Sequence, residues 1–126
     1  MVEAYDPTCV LQMRQMLPFS DGGVRKVRDL SGYGNHGVET NFTGDDSEYV
    51  PSDSGQALYF DASAYNRYLL AAHNVLLDPG VGDFTIEADI TVPHHLTDVV
   101  GDMCQKFDLS NKRGFQFGIL SGAGFH

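Results

Sequence analysis

The chain has 126 residues, 42% of them apolar and 20% charged, and a net charge of −9. That length and apolar content suit one folded domain with its own core and exclude a disordered chain. The acidic balance, carried mostly by Asp, excludes a nucleic-acid binder, which needs a basic face to displace counterions. Fourteen glycines and five prolines cut the chain into short segments, a pattern of many strands joined by turns.

Asp6-Pro7 ahead of Cys9, Met13, Met16 and Leu17 fits the start of an amphipathic helix. A strand running into Leu17-Pro18-Phe19 is the competing reading. Val24 to Leu30 alternates as a short edge strand. Residues 38–56 read as an acidic loop with one short strand near Val38 to Asn41, and Ala57 to Phe60 as a buried strand. Tyr68 to Ala71 and Val75 to Leu77 bracket a turn. Phe84 to Val92 is the clearest strand: Phe84, Ile86, Ala88, Ile90 and Val92 share one face, and Pro93 ends it. Val99 to Phe107 suggests another strand, Asp108 to Gly114 a polar turn, and Phe115, Phe117 and Ile119 alternate again. Strands every ten or so residues without a long helix predict an all-β chain, an antiparallel β-sandwich spanning residues 1–126 as a single domain.

Cys9 and Cys104 are the only thiols and read as buried free thiols before a bridge. No run of about eighteen apolar residues exists, so no membrane insertion is expected. No basic segment followed by an apolar core opens the chain, so no signal peptide is visible, which leaves export unsupported but not excluded.

Residues 29–37, Asp-Leu-Ser-Gly-Tyr-Gly-Asn-His-Gly, carry three glycines, a composition that disfavours a regular helix or strand. They lie between Leu17-Pro18-Phe19 and Gly55-Gln56-Ala57-Leu58-Tyr59-Phe60-Asp61, followed by Phe84-Thr85-Ile86-Glu87-Ala88 and by Lys106 ahead of Arg113-Gly114-Phe115. In this order the five segments resemble the laminin-G-like, concanavalin A-like lectin/glucanase jelly-roll domains, over roughly residues 7 to 120. The resemblance favours the strand over the helix before Phe19. Asp89 departs from it, since the family usually carries Trp there. The family also continues with a Trp-containing strand and a hairpin, whereas this chain has no Trp and stops at His126. The expectation is an incomplete jelly roll: a shortened chain, one given strands by a partner chain, or one completed as a homo-oligomer.

The resemblance implies a structural Ca²⁺ in the nine-residue loop, with Asp29 and Asn35 as ligands; oxygen donors on an irregular loop suit that ion. A turn held by Asp29 and Asn35 without an ion is the equal alternative. Glu87-Ala88-Asp89-Ile90 begins like the Glu-x-Asp-x-x-Glu strand of laminarinase-type glycosidases, but Val92 occupies the acid/base position, so no enzyme is expected. His36, His73, His94, His95 and His126 show no zinc spacing and read as surface or turn residues. With Trp absent, Tyr65-Asn66-Arg67-Tyr68 is the candidate ligand site, a ring flanked by planar polar groups, against core or hairpin packing. Asn41-Phe42-Thr43 is a glycosylation sequon.

The expected function is a non-catalytic, extracellular or surface-associated binding and adhesion module for glycan or a protein surface. A structural subunit of a virion, phage or surface layer is the alternative, and a remnant of a polysaccharide-degrading enzyme comes third.

Overall fold

A computed structural model of the chain describes residues 8–53, 55–60, 66–91, 100–108, 110–120 and 124–125. The protein is all-β, its sheets antiparallel, with two single-turn 3₁₀ helices, Asp46–Glu48 and Val75–Leu77, as the helices among the described residues. It divides into two compact units, Met1–Phe84 and Thr85–His126.

The first unit holds β1 (Pro18–Asp21), β2 (Val24–Val27), β3 (Gly37–Thr40), β4 (Tyr49–Ser52), β5 (Gly55–Leu58) and β6 (Tyr68–Ala71). A four-stranded sheet runs β1-β2-β3-β6 and a two-stranded one pairs β4 with β5. The β1–β2 hairpin is closed by Gly22 and Gly23 at φ 57° and 84°, the double left-handed turn that matches the twist of paired strands. Its register sets Phe19 opposite Lys26, and Lys26 in turn faces Val38, which faces Leu70. These four therefore share one face, and Val27 points to the other.

β2 is an interior strand, not the edge strand expected from its charged residues. Val27 is completely buried, which makes a central position the stable one. It meets Tyr49 of β4 and Leu58 of β5, with Met13, Met16, Phe42 and Leu69 packed around them. Burying a Val side chain is worth about 1.5–3 kcal/mol, so this small cluster is the first unit's hydrophobic anchor. The segment before Pro18 is irregular, tied to the sheet by Arg28 N–H donating to the Leu17 carbonyl at 2.8 Å and Leu30 N–H to that of Gln12 at 2.7 Å. Residues 38–56 hold one strand more than expected, β4, whose Tyr49 supplies an aromatic to the core. Gly55 to Leu58 is paired where Ala57 to Phe60 was expected, and Tyr59 and Phe60 stand half exposed.

The second unit holds β7 (Val100–Asp108), β8 (Arg113–Leu120) and β9 (Gly124–Phe125) in one meander. A bulge between Asp102 and Cys104 shifts the β7–β8 register. The turn is organised by Asp108, which accepts the N–H groups of Ser110 and Asn111 and the side-chain amide of Asn111. Gly114 sits at φ 123° so close to the facing strand that a Cβ would stand 1.8 Å from the Lys106 carbonyl oxygen.

Residues 84–91, read from their alternation as the clearest strand, belong to no strand, and most of them are exposed. Alternation reports only that one face is able to pack; a strand also needs a neighbour to accept its hydrogen bonds. Val92 to Val99, including His94 and His95, lie outside the described residues, as do Tyr65 and His126.

Candidate functional site

The nine-residue loop is built around one carboxylate. Asp29 Oδ1 accepts the backbone N–H groups of Gln12 at 2.8 Å and Ser31 at 2.9 Å. Its Oδ2 accepts the Ser31 hydroxyl at 2.7 Å and the Asn35 N–H at 2.9 Å. Burial pushes the carboxyl up, but the Ser31 hydroxyl and the three N–H groups outweigh it and hold it below the ordinary carboxylate value. Asn35 extends the network: its amide donates to the Val10 carbonyl at 2.7 Å, and its oxygen accepts the Asn74 amide at 2.9 Å. Gly32 and Gly34, at φ 93° and 73°, make the tight path possible.

Asp29 and Asn35 are thus brought together, as the sequence reading placed them, but around hydrogen-bond donors. Both Asp29 oxygens point at N–H and O–H groups, and the Asn35 oxygen at another amide, so a cation there would face positive dipoles. These residues do not fit an ion. Among the described residues no three His, Cys, Asp or Glu side chains converge on a common point.

Of the Tyr65-to-Tyr68 segment, Asn66, Arg67 and Tyr68 are described, and their side chains do not share one surface. Asn66, at φ 60°, offers its carbonyl to the Asn41 side-chain amide. Arg67 turns inward: it pairs with Glu48 at 2.8 Å and lies 5.6 Å from the Phe42 ring. Glu48 also accepts the Thr43 N–H. Tyr68 lies on the outward face of β6, 45% exposed. Backbone alternation separates the guanidinium from the ring it was expected to flank.

Glu39 on β3, whose side chain is covered, is held by Arg25 of β2 at 3.1 Å and by the Tyr49 hydroxyl. Arg25 also reaches Asp46. Burial first, then the hydrogen bond to Glu39, push the Tyr49 phenol far above its ordinary value. Both Glu39 and Glu48 are consumed in holding the fold.

An open cleft of about 210 Å³ is lined by Lys26, Gly34, Asn35, His36, Val38, Ala72, His73 and Asn74. It lies where β2 and β6 end and β3 begins. Asp29 N–H donates to His36 Nδ1 at 2.9 Å, which leaves Nε2–H as the neutral ring's donor. The imidazole is steadied edge-on against Phe19 at 4.9 Å, and Arg28 covers that ring's face at 4.4 Å. Lys26 Nζ reaches Asp21 at 2.8 Å. Asn74 caps the 3₁₀ turn that follows, its oxygen accepting the Leu76 N–H. The lining contains no carboxylate, and its polar side chains are one ammonium, two imidazoles and two amides.

Lys26, His73 and Asn74 carried no sequence signal as site residues. They are 47 and 48 residues apart (73 − 26 and 74 − 26) and meet only through the β2-β3-β6 order. No family model, curated protein or solved structure matches the chain.

Proposed function

We propose that this protein is a non-catalytic binding module of jelly-roll type, acting outside the cell or on its surface, whose ligand is a glycan held by the Lys26–His36–His73–Asn74 cleft. The observation that carries this reading is a polar cleft wall made of hydrogen-bond donors and amides without an acid. At about 210 Å³ it is smaller than the roughly 300–1,000 Å³ of drug-sized pockets, which suits one terminal ring. Val38 and Ala72 give that ring an apolar floor. A retaining glycosidase needs two carboxylates about 5–5.5 Å apart at the scissile bond. Here Asp29, Glu39 and Glu48 are committed to structural hydrogen bonds instead. The loop is read as independent of calcium.

Screening the purified chain on a glycan array tests the proposal. Retention of a defined set of glycans, lost in His73→Gln with an unchanged melting temperature, is the expected result. Retention unaffected by Asn74→Ala and His73→Gln together would remove the cleft as the site.

One observation favours the second reading, a structural subunit. The outward face of the four-stranded sheet exposes Val24, Tyr68 and Leu70, at 44%, 45% and 55%, and β1 and β6 are its outer strands. A homo-oligomer or a strand-donating partner would cover them. Light scattering that gives a mass above 13.8 kDa at micromolar concentration, with no glycan retained, would favour that reading.

A further inference from the structure

The lining of the cleft holds one cation and no carboxylate in an otherwise acidic chain. The protein carries −9 overall, yet the cleft side of the sheet gathers Lys26 and His36, with Arg28 stacked over Phe19 beside them. Two carboxylates touch the lining from outside it: Asp21, bonded to Lys26, and Asp29, which accepts the Asn35 N–H. Asp21 is held below its ordinary value by the Lys26 hydrogen bond and charge. The cluster thus already stabilises one carboxylate, on the rim and exposed.

We propose that the cleft selects an acidic sugar, whose carboxylate takes the place on Lys26 now held by the Asp21 side chain while ring hydroxyls meet Asn35, His36 and Asn74. This rests on the cleft being the glycan site. Three features support it. Lys26 is a compact cation on a flexible stem, able to leave one carboxylate for another. The His36 ring is fixed with Nε2–H as donor by the Asp29 N–H on its other nitrogen. The ion pair being exchanged is exposed, so breaking it costs little.

Galacturonate and galactose differ only in carrying a carboxylate or a hydroxymethyl group, and they separate the two ideas. Calorimetric or NMR titration of the full chain is expected to give galacturonate at least about tenfold tighter than galactose, with the preference falling as salt rises. The side-chain amide signals of Asn35 and Asn74 are expected to shift. Lys26→Gln is expected to abolish the preference. Asp21→Asn, which removes the competing anion, is expected to tighten galacturonate about threefold to tenfold and leave galactose unchanged. A merely structural Lys26–Asp21 pair would weaken, not tighten, any ligand on its loss. Equal binding of the two sugars would overturn the acidic preference and leave the glycan site standing. Binding of acetate as tightly as galacturonate would show a carboxylate site without sugar recognition and overturn the proposal. No binding of either sugar would overturn it together with the cleft as glycan site.

Discussion

Replacing Asp29 by Asn keeps the shape of the side chain and removes its charge, so it isolates what the carboxylate does. With the amide oxygen kept toward Gln12 and Ser31, the amide nitrogen faces the Ser31 hydroxyl and the Asn35 N–H. The hydroxyl can rotate to accept; the Asn35 N–H cannot, and it loses its acceptor while buried. That orphan costs about 1–3 kcal/mol, and loss of charge assistance in the two remaining bonds about 1 kcal/mol each. The neutral amide is cheaper to bury, which returns about 1–2 kcal/mol. A net loss of about 1–4 kcal/mol follows, a large share of the roughly 5–15 kcal/mol that holds a domain folded. In urea, with a slope of about 2 kcal/mol per molar, the midpoint should fall by about 0.5–2 M at pH 7.

The pH dependence carries its own sign. Asp29 is lowered in the fold, so its contribution is fully present above the unfolded value of about 3.9. It is lost as pH falls through the folded value, and the two unfolding curves should converge there. Calcium should leave the native midpoint unmoved, whereas an ion bound at a hundredfold excess over its Kd would add about 2.7 kcal/mol. A loss below about 0.5 kcal/mol in Asp29→Asn, or a midpoint raised by calcium and lowered by chelator, would refute the reasoning.

Gly114→Ala would place a methyl group 1.8 Å from the Lys106 carbonyl at a φ of 123°, so the β7–β8 pairing should open. Loss of amide-exchange protection across residues 104–117 is the check. Arg25→Met leaves Glu39, with its side chain 3% exposed, held by Tyr49 alone and should cost about 2–3 kcal/mol in urea, discounted from the larger cost of breaking a fully buried pair because Arg25 is partly wet. Glu39→Met added to it should recover part of that loss. Burial pushes the Cys104 thiol up, so a thiol reagent at pH 7 should label it more slowly than free cysteine and catch up as pH rises.

Strand positions were legible where turn chemistry marked them. The apolar run Tyr68 to Ala71 stopped where β6 stops. The failures share one cause, that pairing depends on a partner the local pattern does not name. Phe84 to Ile90 alternates well yet belongs to no strand, while Tyr49 to Ser52, broken by Pro51, forms β4 because Gly55 to Leu58 lies beside it. In the loop, Asp29 and Asn35 were identifiable as organising residues, since few other side chains hold such a backbone path. That their partners are Gln12, Val10 and Asn74 was not, because each lies far along the chain. The cleft was least legible, since Lys26 looks like any surface lysine until β3 and β6 bring residues 36 and 73 to it.

The bonds that lock the Asp29–Gly37 bend span 17, 25 and 39 residues. Closing such lengths costs entropy before any bond rewards it, so the bend is a late latch, completed once Val10, Gln12 and Asn74 have been delivered. Loosening it should therefore quicken unfolding and leave the refolding rate nearly unchanged. Because Asn35 and His36 line the cleft, any partial release of that latch would dismantle the cleft before the Val27 core is exposed.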